Sequence, residues 1–330
     1  MRLWRREHAW GKRWGVLALA CLLSGCGTAG SLRVVNVPVA DLRGQPGPLA
    51  ASLDHDPLQE TQLLYGERVR VTEVREAWAL VEAIEQPEFT HAARWRGYPG
   101  WILQDLLRPA RGIKRPTAVV TARWATLWKD ALGLDPWFQV PMGTPLSARD
   151  EPGVFRQVTL LSGQVAWVAY DQIRLRKELR FLTGEQKRQL ILHAATALVG
   201  DPYFWGGRSP QAGPQVGTQI TGVDCSGLVN LAYRSAGIAI PRDAHEQYLR
   251  AQRVSRLQPA DLIFLSEADN PKKIVHVMLY AGDGWIVEGP GTGLTVRRIE
   301  LTERLGSRPE QLKPGMQIGK QTVYFGTYLR

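Results

Sequence analysis

The sequence predicts an α+β protein in which two small, strand-rich units precede a larger mixed unit. Residues 32–110 and 111–178 contain short strands separated by Gly and Pro turns, a pattern typical of small β-barrels. Residues 183–330 combine amphipathic helical segments with alternating apolar strands. A chain of 330 residues is long enough for several domains with separate cores.

A leader precedes the first unit. Basic residues are followed by an apolar stretch at 14–23 that is too short to span a bilayer, and this pattern predicts a cleaved export signal over 1–26. The run Leu23-Ser-Gly-Cys26 resembles a bacterial lipobox, which implies cleavage before Cys26, its lipidation and attachment to the membrane. In a Gram-negative host, the expected location is the periplasmic face of the outer membrane. The alternative is an ordinary secretory signal with an incidental cysteine.

The chain stays basic without its leader. Five basic residues and one acidic residue precede Cys26, so their removal lowers the formal net charge from +10 to +6. A basic balance favours association with an anionic wall polymer or a membrane surface. No run of Lys or Arg indicates a nucleic-acid groove, and we expect no nucleic-acid partner.

Both strand-rich units carry turn motifs. A strand is predicted at 34–39, and 62–71 contains a strand, a turn at Gly66 and an alternating strand. Together with Gly97-Tyr-Pro-Gly-Trp101, this pattern resembles a bacterial SH3 domain. Gly163-Gln-Val-Ala-Trp167 resembles the second motif, which implies a second SH3-like barrel.

Cys225 is the only thiol left once the leader is removed, and it lies in Gly222-Val-Asp-Cys-Ser-Gly227. Leu228, Leu231 and Ala232 follow at helical spacing, so Cys225 is expected in the first turn of a helix. The backbone N–H groups there stabilise a thiolate and can bind an oxyanion. The alternative is a small, inert, buried side chain.

A thiol nucleophile needs a base, and the base needs a group that orients it. His276 lies in the apolar strand predicted at 274–280, and Glu288 ends the next strand. We expect His276 to be the base and Glu288 to hydrogen-bond its far ring nitrogen. The alternatives are a structural histidine and a solvated carboxylate at a strand end.

Five motifs together resemble the NlpC/p60 family of cell-wall cysteine peptidases. They are Pro202-Tyr-Phe-Trp-Gly-Gly207, Asp224-Cys-Ser-Gly-Leu228, Gly237-Ile-Ala-Ile-Pro-Arg-Asp-Ala244, Gln258-Pro-Ala-Asp-Leu262 and His276-Val-Met-Leu-Tyr-Ala-Gly282. The resemblance implies a papain-like α+β catalytic domain over 183–330, with Cys225 as nucleophile and His276 as general base. The order of domains is similar to that of the subgroup that cleaves γ-D-glutamyl to diamino-acid bonds in peptidoglycan stem peptides.

The same resemblance implies a substrate site. Asp224, Ser226 and Tyr98 correspond to an ammonium site for peptides with a free N-terminal L-Ala. The alternative for Tyr98 is packing within its own barrel. Arg242 and Asp243 are expected to shape the cleft, either by contacting substrate or as an ion pair that fixes a loop.

Two features depart from the family pattern. The third catalytic position is usually His, where this chain has Glu288, and extra sequence at 211–221 predicts a loop at the cleft edge.

The sequence therefore predicts a lipid-anchored cysteine endopeptidase that acts on peptidoglycan or its stem-peptide fragments. No cofactor is expected. No metal is expected either, since the sequence has no His-Glu-x-x-His run. Two alternatives remain open, a catalytically lapsed peptidoglycan-binding lipoprotein and an amidase or acyltransferase on the same scaffold.

Overall fold

The computed structural model describes residues 30–213 and 220–329, which form three antiparallel sheets and five α-helices. The leader, with its predicted lipidation at Cys26, lies outside the described residues. So does the central part, 214–219, of the predicted loop at 211–221. Within the described ranges, no helix has the length and apolar character needed to cross a membrane.

The first sheet wraps around a small apolar core and has the strand order β3-β2-β6-β5-β4-β1-β7. Its strands are β1 Leu32–Val35, β2 Val39–Arg43, β3 Gln59–Leu64, β4 Arg68–Arg75, β5 Trp78–Glu88, β6 Arg96–Leu103 and β7 Leu107–Pro109. The single strand predicted at 34–39 is wrong, because the chain turns between β1 and β2. Pro38, which has no N–H group to give to a ladder, lies in that turn.

The second sheet repeats the architecture of the first. Its strands are β8 Ala118–Val120, β9 Trp124–Trp128, β10 Pro136–Pro141, β11 Pro145–Ala148, β12 Phe155–Thr159, β13 Val165–Ala169 and β14 Ile173–Leu175. Their order, β10-β9-β13-β12-β11-β8-β14, equals that of the first sheet when seven is subtracted from each number. The predicted pair of SH3-like barrels is confirmed, although β9 and β10 were not expected from the sequence.

The third sheet and the helices form a mixed α+β domain. Its strands are β15 Gln252–Arg253, β16 Leu262–Glu267, β17 Asn270–Gly282, β18 Trp285–Glu288, β19 Arg297–Glu300, β20 Gln317–Ile318 and β21 Gln321–Thr327. The helices are α1 Arg176–Phe181, α2 Gly184–Thr196, α3 Cys225–Ser235, α4 Ala244–Arg250 and α5 Leu301–Leu305. Helices α2 and α3 pack against each other and share one core with the central strands of the sheet.

Local sequence signals explain where the two central helices begin. Thr183 caps α2, since its side chain accepts a hydrogen bond from the Gln186 N–H group and the Gln186 side-chain oxygen accepts one from the Thr183 N–H group. Asp224 caps α3 in a similar way through the N–H group of Gly227. The cap fixes Cys225 as the first residue of its helix.

Buried charges join the first barrel to the α+β domain. Glu67 of the barrel forms hydrogen bonds with Arg208 at 2.7 and 3.1 Å and an ion pair with Arg234 of α3 at 3.0 Å. Arg234 also reaches Glu85 on β5 at 2.8 Å. Since charges this deep are stable only when paired, the cluster fixes the barrel against the helix that begins with Cys225.

Candidate active site

Cys225 lies at the N-terminus of α3 with 8% of its surface exposed. The buried face of α3 holds the helix against the sheet through Leu228, Leu231 and Ala232. Gly227 contributes by its lack of a side chain, because a Cβ there would lie 2.2 Å from the Gly207 carbonyl oxygen. Cys225 thus lies in the cleft at the N-terminal end of a helix, where the helix dipole favours a thiolate.

His276 and Glu288 lie on neighbouring strands, β17 and β18. The distance from His276 Nε2 to Glu288 Oε2 is 2.8 Å, so the carboxylate orients the imidazole. This contact leaves Nδ1 for Cys225. The arrangement of nucleophile, base and orienting carboxylate is the one that thiol catalysis requires.

Two arginines hold Glu288 from its other side, and the carboxylate is fully buried. Arg297 of β19 contacts Glu288 Oε1 at 2.7 and 3.0 Å, and Arg304 of α5 contacts both carboxylate oxygens at 3.1 Å. Burial acts to raise the pKa of Glu288, but the bond to His276 and the two arginines outweigh it and hold the pKa at about 2. Glu288, the residue that departs from the family pattern, is therefore ionised at neutral pH, and the two arginines balance its negative charge.

His276 is shifted in the opposite direction. Burial acts to lower its pKa, but the charge of Cys225 and the hydrogen bonds to Cys225 and Glu288 outweigh burial and raise the pKa to about 9. The contribution of His276 to stability is complete below pH 6.5 and is lost as the pH rises through 9. That of Glu288 is complete above pH 4.5 and is lost as the pH falls towards 2.

Glu288→Gln should move the alkaline limit of activity to lower pH. The thiolate needs a protonated His276 beside it, so kcat/KM is expected to fall near pH 9 in the unaltered enzyme. A neutral amide stabilises the imidazolium less than a carboxylate does. We therefore expect the fall in kcat/KM to begin at a pH lower by roughly one unit. The measurement is a pH profile of kcat/KM. Glu300→Gln removes an exposed carboxylate from the end of β19 and serves as the control. If kcat/KM falls at the same alkaline pH in both variants, Glu288 does not orient His276.

Asp224 and Arg242 form a buried ion pair behind the thiol. Arg242 Nη1 and Nη2 lie 3.0 and 2.8 Å from the two carboxylate oxygens of Asp224, and Nη1 lies 2.8 Å from Ser226 Oγ. Ser226 in turn donates to Asp224 at 3.1 Å, and the Nε atom of Arg242 donates to Thr61 of the first barrel at 2.8 Å. Arg242 is fully buried, so it supports the cleft from behind and does not line it.

The cleft above Cys225 has a volume of about 710 Å³ and is lined by both the α+β domain and the first barrel. The barrel contributes Glu60 and Tyr98, and the Tyr98 hydroxyl donates to Glu60 at 3.3 Å. Burial, Asp243 and Glu60 together raise the pKa of Tyr98 well above its ordinary value, so the phenol keeps its proton. Asp243 lines the same end of the cleft, and burial raises its pKa to about 7.

The structure thus brings together the predicted residues Cys225, His276, Asp224, Ser226, Tyr98 and Asp243 around one cleft. Glu288 lies behind His276, and Arg242 lies behind Asp224.

Two residues escaped the sequence reasoning. Glu60 carries no local signal, since only the docking of the barrel brings it to the cleft. Tyr203 lies inside the first family motif, which could have indicated it. Burial and the charges of Asp224 and Cys225 raise the pKa of Tyr203, so its hydroxyl remains a hydrogen-bond donor near the thiol. No cluster of side chains suited to a metal occurs in the described parts of the chain.

This fold and this site are those of a cysteine peptidase. Residues 200–305 match the model of the NlpC/P60 family, so the C-terminal part of the chain is an NlpC/P60 domain. A crystal structure of an NlpC/P60 family protein from Bacillus cereus superposes with a TM-score of 0.71 at 24% sequence identity and covers 91% of this chain and 100% of that one. The three-domain fold is therefore shared along nearly the whole chain.

Three curated relatives match between about a third and about three quarters of this chain. The γ-D-glutamyl-L-lysine dipeptidyl-peptidase of Bacillus cereus is 29% identical over 248 residues, which cover 73% of this chain and 70% of that protein. The Bacillus subtilis enzyme of the same name is 28% identical over 256 residues, covering 76% and 78%. A peptidoglycan endopeptidase of Mycobacterium tuberculosis, RipA, is 33% identical over 119 residues, which cover 34% of this chain and 24% of that protein.

Proposed function

We propose that this protein is a peptidoglycan stem-peptide hydrolase that cleaves the bond between γ-D-Glu and a diamino acid in peptides with a free N-terminal L-Ala. The observation that carries the proposal is the acidic end of the cleft. Glu60 and Asp243 both lie next to the Tyr98 side chain and line the same cleft as Cys225. The names of the relatives agree with this substrate class.

The acidic end suits a peptide ammonium group. Arg242 pairs closely with Asp224, at 2.8 and 3.0 Å, and more loosely with Asp243, at 3.6 Å. Glu246 also lines the cleft but accepts a hydrogen bond from the Thr90 N–H group. We therefore assign the ammonium site to Glu60 and Asp243. A bound cation stabilises the ionised form of Asp243, whose pKa of about 7 otherwise leaves it partly protonated at neutral pH. This assignment moves the charge of the ammonium site from Asp224 to its neighbours.

The chemistry follows from the three groups at the cleft floor. The Cys225 thiolate attacks the γ-carbonyl carbon, and the oxyanion accepts hydrogen bonds from the Cys225 N–H group and the Tyr203 hydroxyl. His276 gives its proton to the departing amine, which breaks the peptide bond and leaves a thioester. His276 then takes a proton from water, the hydroxide attacks the thioester, and the acid product leaves as the thiolate re-forms.

Two lysines support diaminopimelate as the diamino acid. Lys272 and Lys273 line the same cleft, and Lys273 is paired with Glu267 at 2.9 Å. Lys272 is exposed and makes no ion pair within the described residues. Diaminopimelate carries a second carboxylate that a lysine side chain lacks, and Lys272 provides a charge that complements it.

The lipid anchor at Cys26 is part of the proposal. The leader motif supports lipidation, and the basic balance of the remaining chain suits an anionic surface. We infer an exported lipoprotein held at a membrane, on the periplasmic side of the outer membrane in a Gram-negative host.

Glu60→Gln should weaken the selection of free amines. Loss of one carboxylate from the ammonium site is expected to raise KM for L-Ala-γ-D-Glu-diaminopimelate about tenfold or more and leave kcat less affected, because the reacting atoms are untouched. The measurement is steady-state cleavage followed by mass spectrometry, with the free and the N-acetylated peptide. The acetylated peptide should be a poor substrate of the unaltered enzyme.

Glu82→Gln provides the matched control, since Glu82 lies on β5 of the same barrel and does not line the cleft. Equal rates on free and acetylated peptide in the unaltered enzyme would remove the ammonium site from the proposal. Cleavage at a different bond would replace the proposed reaction.

A further inference from the structure

A second cavity, with a volume of about 410 Å³, lies between the two barrels and away from the catalytic cleft. The first barrel contributes the turn around Tyr65, and the second contributes β11 and the turn after β12. Four lining side chains are cations, Arg68, Arg108, Arg111 and Lys114, and the described lining includes no aspartate or glutamate. We call the space that these four residues line the cationic cavity.

The four cations are not used by the fold. Within the parts of the chain that the structure describes, none of their side chains forms an ion pair or a hydrogen bond. By contrast, Arg208, Arg234 and Arg242 are each paired with a carboxylate. Tyr65 adds a neutral donor, since its oxygen accepts from the Leu161 N–H group at 2.9 Å and its own proton is left for another partner. Unpaired cations and a hydroxyl around one concave space are suited to bind phosphate-like anions.

The register of the first sheet aligns the cavity with the start of β1. Val34 pairs with Arg68 on β4 and with Arg108 on β7, and Leu32 pairs with Arg70. Paired residues of antiparallel strands share one face of the sheet, so the three arginines form a row on the face that carries Leu32 and Val34. Leu32 ends this row with 44% of its surface exposed.

The start of β1 is also near the predicted lipid anchor along the chain. Only five residues separate Cys26 from Leu32, and a fully extended chain over this interval spans about 20 Å at most. The carbonyl oxygen of Leu32 accepts from Ala110, the residue directly before Arg111. A lipid on Cys26 therefore keeps the row and the cationic cavity close to the membrane surface.

We propose that the cationic cavity binds the phosphate groups of anionic lipids in the membrane that holds the anchor, and thereby fixes the orientation of the protein on that surface. The proposal depends on the proposed anchor for its geometry but not on the peptidase activity. The cleft residues of the same barrel, Glu60 and Tyr98, belong to β3 and β6, which pair with none of β1, β4 and β7. Lipid binding and catalysis thus use different strands of one barrel.

The test is cosedimentation with vesicles, using a chain that starts at residue 27 and so keeps all three sheets and every described core. It should bind vesicles that contain phosphatidylglycerol, not bind pure phosphatidylcholine, and dissociate as salt is added. The variant with Arg111→Gln and Lys114→Gln should lose about fivefold in affinity per charge, or about 25-fold in all. Both residues are exposed, so the substitutions should leave the fold and peptide cleavage unchanged.

The control variant carries Arg308→Gln and Lys313→Gln, which remove the same charge from exposed sites on the peptidase domain. Equal loss in the two variants, or equal binding to both kinds of vesicle, would overturn the proposal. Purified sacculi are the second arm. Binding to sacculi that the Arg111 and Lys114 substitutions abolish, without binding to vesicles, would assign the cavity to a wall polymer instead. A chain that binds vesicles but cleaves no peptide would leave this inference standing and remove the proposed function.

Discussion

Replacing Cys225 with alanine is expected to abolish peptide hydrolysis, with a loss in kcat on the order of 10⁶. The thiolate forms the covalent intermediate, and Cys225 is the free cysteine of the described chain, so no neighbouring thiol can take its place. The side chain is small and lies at the cleft floor, and we expect a cost of only about 1 kcal/mol in stability. The measurement combines single-turnover digestion of L-Ala-γ-D-Glu-diaminopimelate with calorimetric titration of the same peptide.

The Cys225→Ala protein should still bind the peptide, because the acidic end of the cleft is intact. His276→Ala should be similarly inactive, since the two residues act as a unit. Hydrolysis that survives in Cys225→Ala would place the nucleophile elsewhere. If neither the unaltered protein nor the variant cleaves any stem peptide while both bind sacculi, the wall-binding alternative replaces the peptidase.

Glu67→Gln is expected to lower the free energy of unfolding by about 3–5 kcal/mol. Burial acts to raise the pKa of Glu67, but the charges of Arg208 and Arg234 outweigh burial and lower the pKa, so the carboxylate is ionised at neutral pH. A neutral amide would leave Arg208, which has no exposed surface, without a full counter-charge. Denaturant unfolding at neutral pH measures the loss in stability. We also expect lower peptidase activity, because the barrel is then held less firmly against the helix that carries Cys225.

The matched control for Glu67→Gln is Glu73→Gln, which breaks the exposed pair between Glu73 and Arg75 at the end of β4. An exposed pair is worth roughly 0–1 kcal/mol. Similar losses in the two variants would show that the buried cluster does not hold the barrel in place.

The parts of the fold that depend on neighbours in sequence were predictable. The helical spacing of the apolar residues after Cys225 predicted its helix, and the apolar run around His276 indicated its strand. The turn motifs that end in Trp101 and Trp167 indicated two related barrels. Strands β9 and β10 were missed because Pro and Trp residues obscure their alternation, while register with their neighbours holds them in the sheet.

Among the parts of the site that depend on docking between domains, the family resemblance implied Tyr98, but Glu60 was not predictable. Glu60 and Asp243 are far apart in sequence, and only the contact of the first barrel with the peptidase domain brings them to the same tyrosine. The roles expected for Asp224, Ser226 and Tyr98 remain predictions. For Arg242, sequence motifs could not distinguish an ion pair from a substrate contact, because the role of its side chain depends on which carboxylate is nearest in space.

The position of the first barrel affects which form of peptidoglycan the enzyme is expected to cleave. The barrel contributes Glu60 and Tyr98 to the cleft and is joined to the peptidase domain by buried charges, so under the proposed function it lies beside the N-terminus of a bound peptide. In intact wall, the stem peptide continues from that terminus into the glycan strand, which would then have to pass the barrel. We therefore expect the enzyme to process fragments already released from the wall, because the barrel obstructs the longer chains of intact wall.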